Sequence, residues 1–213
     1  MQQITAALDG YSSSDVLVIT EYRPNKNGKA IRAFLEEKGY GHQFATVTEE
    51  KNGVLVASRL EFEAKTDTRL AEHSHRVAIV QFEGFTLYGC YFPQQKEKQK
   101  VFDYLIEECA NSDRSIITGD INTGLHFIDE KGKSFYCAEA LYELNQIIPD
   151  VYRHLHGEKK EYSWFSNAGN GFRIDHFMVS PALLGGVQSC EYDHEPRESK
   201  ASDHSAMSLE LLI

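Results

Sequence analysis

Short, almost unbroken apolar runs alternate along this chain with longer segments in which apolar residues recur every three or four positions. A run such as Val16-Leu17-Val18-Ile19 suits a strand buried on both faces. Ile31, Phe34 and Leu35 within 27–38, followed by Gly39, have the spacing and the stop signal of an amphipathic helix. The same reading predicts strands over 41–48, 53–58, 75–82, 85–92, 115–118, 172–180, 187–192 and 204–211. It predicts helices over 4–8 and 136–148, and a third opened by Pro93 with Val101, Leu105 and Ile106 on one face. Hairpin-paired strands with helices between them are expected to close as a layered α+β sandwich of α/β type, one domain over 1–213.

Composition removes several classes. A hydrophobic fraction of 41% and a charged fraction of 25% exclude a disordered chain, a collagen-like repeat and a coiled coil. With 22 Lys+Arg against 32 Asp+Glu the net charge is −10, which argues against coating duplex DNA by bulk charge but not against touching a few phosphates. The 4 cysteines are far apart and form no C-x-x-C pair, so buried or idle thiols are expected. No apolar run approaches the roughly 18 residues of a membrane span. Met1-Gln2-Gln3-Ile4-Thr5 shows no basic stretch ahead of an apolar one. The expectation is a cytoplasmic protein with no membrane association and no obligate protein partner. His154 and His156 lack a third ligand at suitable spacing and read as surface histidines.

Polar residues gather where the strands end. Glu21 follows the first apolar run, as either a site carboxylate or one emerging into solvent. In Gly119-Asp120-Ile121-Asn122 an extended chain puts Asp120 and Asn122 on one side, able to align a water; the alternative is an Asx turn leaving the strand. Arg173 and Asp175 share a strand face, as site residues or as a surface ion pair. Ser202-Asp203-His204 suits a metal ligand beside a base, or an ordinary turn.

Taken together, Thr20-Glu21, Tyr91-Phe92-Pro93, Gly119-Asp120-Ile121-Asn122, Arg173-Ile174-Asp175 and Ser202-Asp203-His204 resemble the endonuclease/exonuclease/phosphatase superfamily. The segments 89–94 and Ser163-Trp164-Phe165 are most similar to its exonuclease III branch of apurinic/apyrimidinic endonucleases, and the likeness runs over 16–211. It implies a DNase I-like four-layer sandwich, two packed β-sheets flanked by helices, and phosphoester cleavage dependent on Mg²⁺ or Mn²⁺. Glu21 and Asp203 would hold the metal, in keeping with the preference of hard cations for carboxylate oxygen. By the same resemblance Asp120 would activate water and Asn122 orient it. His204, paired with Asp175, would bind the scissile phosphate with help from the Tyr91 hydroxyl. Trp164 would line a substrate pocket, as an alternative to core packing, and Arg173 would contact substrate or, better, buttress the Asp175 strand. The family's first strand, with its Trp-Asn or Phe-Asn motif, has no counterpart here, so a domain without that strand is expected.

Three readings follow. The first is a DNA phosphodiesterase acting at abasic sites or 3′ ends. The second is a phosphatase or phosphodiesterase of the same fold acting on RNA, a nucleotide or another small phosphoester. The third is a binding module that has lost turnover. Lys96, Lys98, Lys100, Lys131, Lys133, Lys159 and Lys160 near the expected site mouth are interleaved with glutamates and read as a solvated face rather than a nucleic-acid grip.

Overall fold

The computed structural model describes residues 2–49 and 51–213. The apolar runs form two facing sheets. The larger consists of β4 (Glu63–Lys65), β5 (Val77–Phe82), β6 (Phe85–Tyr91), β7 (Ser115–Asp120) and β10 (Asp175–Val179), in the order β10-β7-β6-β5-β4. Among the described residues only β6 and β7 run parallel; their crossover carries α3 (Gln99–Ala110). The facing layer is in two pieces, β1 (Val16–Tyr22), β3 (Gly53–Ser58) and β2 (His42–Ala45) in the order β1-β3-β2, and the hairpin β11 (Val187–Asp193) with β12 (Ala206–Leu211). β1 lies over β6 and β7, and β12 over β10. Among the described residues β1 is bonded only to β3 and β12 only to β11.

Period-two alternation sorts the side chains into layers. Val16, Val18, Val54 and Val56 face Ala78, Val80, Leu87, Ile116 and Val179 between the sheets. Their sequence neighbours Leu17, Ile19, Leu55 and Ala57 turn outward, onto Ile31, Phe34 and Leu35 of α2 (Lys26–Glu37). On the far side Val77, Ile79, Ile117 and Met178 meet Val101, Phe102 and Leu105 of α3 and Leu141 and Leu144 of α4 (Ala138–Ile147). Helix, sheet, sheet, helix is the four-layer α+β sandwich expected from the sequence.

Several boundaries differ. Residues Thr68–Arg76 form 3₁₀ turns, so the strand expected over 75–82 begins at Val77. After Pro93 a 3₁₀ turn, Gln95–Lys98, precedes α3. The strand expected over 172–180 is interrupted: β9 (Gly171–Phe172) pairs with β8 (Trp164–Phe165), and the chain re-enters the large sheet only at Asp175. Arg173, the residue at the break, is drawn into the interior by two carboxylates, which a strand-face position could not satisfy. The helix α5 (Val151–His156), capped by Asp150, was not legible from apolar spacing. Cys90, Cys109 and Cys190 are buried, Cys137 is half-buried, and all are free thiols. His156 bonds the Cys190 carbonyl at 3.0 Å, so it is a tethering side chain and not a free surface histidine.

Candidate active site

Register brings the strand-end residues together. Asp120 closes β7, opposite Tyr91 on β6 and opposite Asp175 on β10, so three neighbouring strands present these side chains in one row. Just before the row, Gly119 has φ +126°, and a Cβ there would stand 2.1 Å from the Cys90 carbonyl oxygen. A second row comes from the facing layer. The β1–β3 register shifts between Ile19 and Tyr22, and Glu21, at φ 55°, leaves the ladder in a bulge of the kind that re-aims side chains at active sites. An isolated bridge between Trp164 and His204 fixes the turn ahead of β12 that carries Asp203 and His204.

Asp120 is 3% exposed. Burial pushes its pKa up to about 8, helped by the negative charges of Asp175 and Glu21 and opposed by His204 and the Asn122 amide. The triplet is an Asx turn and not an extended strand: Asn122 has φ 55°, and its N–H donates to Asp120 Oδ1 at 2.8 Å. Asn122 Nδ2 donates to Asp120 Oδ2 at 3.0 Å and to the Phe92 carbonyl at 2.9 Å, while Gln94 Nε2 donates to Asn122 Oδ1 at 2.7 Å. Asn122 therefore holds the Asp120 carboxylate in place.

His204 Nδ1 meets Asp175 Oδ2 at 2.8 Å. Burial works against its charge, but the Asp175 carboxylate, with Asp120 and Asp203 nearby, overrides this and raises the pKa to about 9. With Nδ1 engaged, Nε2 is the nitrogen free to meet a ligand. Trp164 is half-buried; its indole Nε1 donates to Asp203 Oδ2 at 3.3 Å and its ring leans on Phe172 at 5.7 Å between centroids. It is thus both an aromatic wall and a tether for Asp203.

Arg173 is not a substrate contact, because it is wholly buried. Its Nε donates to Asp129 Oδ1 at 2.6 Å and its Nη2 to Asp150 Oδ2 at 2.6 Å. Asp150 also meets His176 Nδ1 at 2.9 Å, and His176 Nε2 meets the Thr123 carbonyl at 2.8 Å. Asp129 in turn accepts from Leu125 N at 2.7 Å. This buried network pins the loop that leaves Asp120. The expected pairing of Arg173 with Asp175 does not form, since the chain turns between them.

Sequence reasoning missed other members. Lys98 is almost completely buried; its ammonium bonds the Asn122 carbonyl, and burial lowers its pKa to about 8. Nothing in a run of alternating lysines and glutamates marks that one residue. The Arg76 guanidinium lies over the Tyr91 ring, 4.6 Å from its centroid, with a buried Nε that has no hydrogen-bond partner among the described residues. Asn52 Nδ2 donates to Glu21 Oε2 at 2.8 Å.

The donor set fits a hard divalent cation. Asp120, Asp175 and Asp203 act on the His204 imidazole, and Glu21 acts on Asp120, whose pKa is raised first by burial and then by the neighbouring carboxylates. Among the described residues no three His, Cys, Asp or Glu side chains form a ready-made chelating group; carboxylate oxygens are donors preferred by hard cations that keep several waters of their own.

Comparison with known proteins bears on the fold and the family. A DNA-(apurinic or apyrimidinic site) endonuclease of Arabidopsis thaliana is 29% identical over 191 residues, covering 66% of this chain and 52% of the relative. The chain thus spans about half the length of that relative. Among solved structures, a 3′ phosphatase, NExo, from Neisseria bound to a product DNA hairpin superposes with a TM-score of 0.82 at 19% identity, covering 98% of this chain and 94% of that one. An AP endonuclease from Archaeoglobus fulgidus gives 0.81 at 22% identity, covering 98% and 93%. At these identities the superpositions speak for the fold. The endonuclease/exonuclease/phosphatase family model matches residues 1–204. On that match along nearly its whole length, the chain belongs to the endonuclease/exonuclease/phosphatase family.

Proposed function

We propose that this chain is a divalent-metal-dependent phosphodiesterase that hydrolyses phosphoester bonds of DNA, at abasic sites or at 3′ ends. The observation that carries the reading is the Asp120–Asp175–His204 array, a buried carboxylate and a carboxylate-paired imidazole on adjacent strand ends. The family is one of hydrolytic enzymes that generally use a divalent cation. The similar proteins include an AP endonuclease and a DNA-bound 3′ phosphatase, which supports the substrate class. Free thiols at all four cysteines suit a reducing compartment such as the cytoplasm, and among the described residues no helix is long and apolar enough to cross a membrane.

Asp120, oriented by Asn122, takes the proton of the attacking water as the new bond to phosphorus forms and the bond from phosphorus to the 3′ oxygen breaks, that leaving oxygen taking a proton from solvent to become the 3′ hydroxyl. His204 donates from Nε2 to a phosphate oxygen, its proton secured by Asp175 on the opposite ring nitrogen. The Tyr91 hydroxyl and the Arg76 guanidinium stacked on its ring add donors to the same phosphate. Trp164 offers an aromatic face to a sugar or base drawn out of the stack. Mg²⁺ or Mn²⁺, held by Glu21 and Asp203, would supply the positive charge that ionises Asp120 and neutralises the phosphate.

One observation narrows the substrate. The net charge is −10, and some surface cations are tied to acids, as Lys100 is to Glu72 at 2.7 Å and Arg69 to Asp67 and Glu108 at 2.5 Å each. An acidic chain is poorly suited to follow a long duplex by bulk charge, which favours a lesion or a strand end over processive tracking. The test compares kcat/KM on an abasic duplex, on a duplex with a 3′-phosphate and on bis-p-nitrophenyl phosphate, all with Mg²⁺. DNA is expected to be preferred by about 10³-fold or more, because only the larger substrate offers remote binding energy. Equal turnover of the small diester would end the DNA reading and leave a small-phosphoester hydrolase.

A further inference from the structure

Glu21 and its neighbour on the adjacent turn form an arrangement that the strand-end residues alone do not explain. Asn52 Nδ2 donates to Glu21 Oε2 at 2.8 Å, and the Arg23 Nε–H donates to Asn52 Oδ1. The amide is therefore held at both ends, its oxygen facing a cation and its nitrogen facing the carboxylate, and among the described residues Glu21 Oε1 has no hydrogen-bond partner. The turn itself is anchored. Asn52 leads directly into Gly53, where a Cβ would lie 2.6 Å from Thr46 Oγ1 and 2.6 Å from Val47 Cγ1, so the chain is seated against the β2 side of the sheet. Thr46 Oγ1 fixes this seat by accepting from Val54 N at 2.9 Å and donating to the His75 carbonyl at 2.8 Å. Glu21 needs such a hold. It stands in a bulge at positive φ and is exposed, so its own backbone and packing leave the carboxylate free to rotate.

We propose that Asn52 is the positioning residue of the metal site: it fixes one oxygen of Glu21 so that the other is presented to the divalent cation. The proposal rests on the reading of Glu21 as a metal ligand. Hydrogen bonds from outside the ligand shell orient ligating carboxylates, and their loss typically weakens metal affinity about 10- to 100-fold. Arg23 is one step further out, setting the orientation of the amide.

The test is Mn²⁺ binding to the resting protein, followed by loss of the free-ion electron paramagnetic resonance signal, with no substrate present. Thermal melts of each variant check folding. Glu21→Gln is expected to abolish the high-affinity site. Asn52→Ala is expected to weaken binding about 10-fold or more, with an unchanged melt because the turn is held by Gly53 and Thr46. Arg23→Met, which leaves Asn52 in place, is expected to give a smaller loss, and it decides the matter if Asn52→Ala does not fold. Wild-type Mn²⁺ affinity in a folded Asn52→Ala protein overturns the proposal and makes the Arg23–Asn52–Glu21 chain a tether for the turn only. Wild-type affinity in Glu21→Gln overturns it by another route, by removing Glu21 from the metal site.

Discussion

Asp120→Asn is expected to lose about 10³-fold or more in kcat while the protein becomes more stable. The two effects have one cause. The carboxylate is buried beside Asp175, and its pKa is pushed up to about 8, so its ionised form is costly in the metal-free fold. An amide removes that charge but cannot take a proton from water. It also loses the hydrogen bond from Asn122 Nδ2, so the net gain is expected to be about 1 kcal/mol, or roughly 2–4 °C in Tm. The sign with pH follows from linkage. A carboxyl whose folded pKa is raised binds more protons folded than unfolded, so its contribution is fully present below about pH 4 and is lost as pH rises toward 8. The gap between variant and wild type should therefore widen between pH 4.5 and pH 7.5 in urea titrations with chelator present. An equal gap at both pH values would mean that Asp120 is not the strained charge described here.

Arg173→Met is expected to destabilise the fold by about 3–5 kcal/mol, because it leaves Asp129 and Asp150 facing each other without their shared cation. Burial alone would raise both carboxyl pKa values, and the Arg173 guanidinium overrides it and holds them low. Their stabilisation is present above the unfolded carboxyl range of about pH 4 and is lost as pH falls below it. Arg173→Lys should recover little, since an ammonium cannot reproduce the fork that reaches both acids. Urea midpoints of the three proteins measure this. A folded Arg173→Met protein of wild-type stability with a raised KM would instead restore the substrate-contact role that the sequence suggested.

The sandwich was legible because its signal is local: the nearly continuous apolar runs within Val16–Tyr22, Gly53–Ser58 and Ser115–Asp120 are the strands of the folded chain. The strand-end acids and His204 were legible as a set, since each ends or precedes an apolar run. What sequence could not give was long-range pairing. Arg173 and Asp175, two positions apart in sequence, part company because Asp129 and Asp150, far along the chain, claim the guanidinium. Asp120 and Asn122 meet through a turn, and positive φ at Asn122 carries no strong residue signature beyond the tolerance of Asn for it. Lys98 looks like its solvated neighbours Lys96 and Lys100 until α3 packs it beneath the Asn122 carbonyl. Asn52 is 31 positions from Glu21, and only the β1–β3 pairing brings them together.

The most direct measurement is incision of an end-labelled abasic duplex in oxygen-18 water, with Mg²⁺ present and then chelated, wild type beside Asp120→Asn. Attack of water on phosphorus predicts a 3′ hydroxyl on one fragment and one solvent oxygen in the 5′ phosphate of the other. Both should vanish with chelator and in the variant. An unsaturated aldehyde at the 3′ end with no oxygen-18 in the phosphate, or incision that persists in Asp120→Asn, would contradict the account, because the strand would then be broken without the Asp120–His204 site.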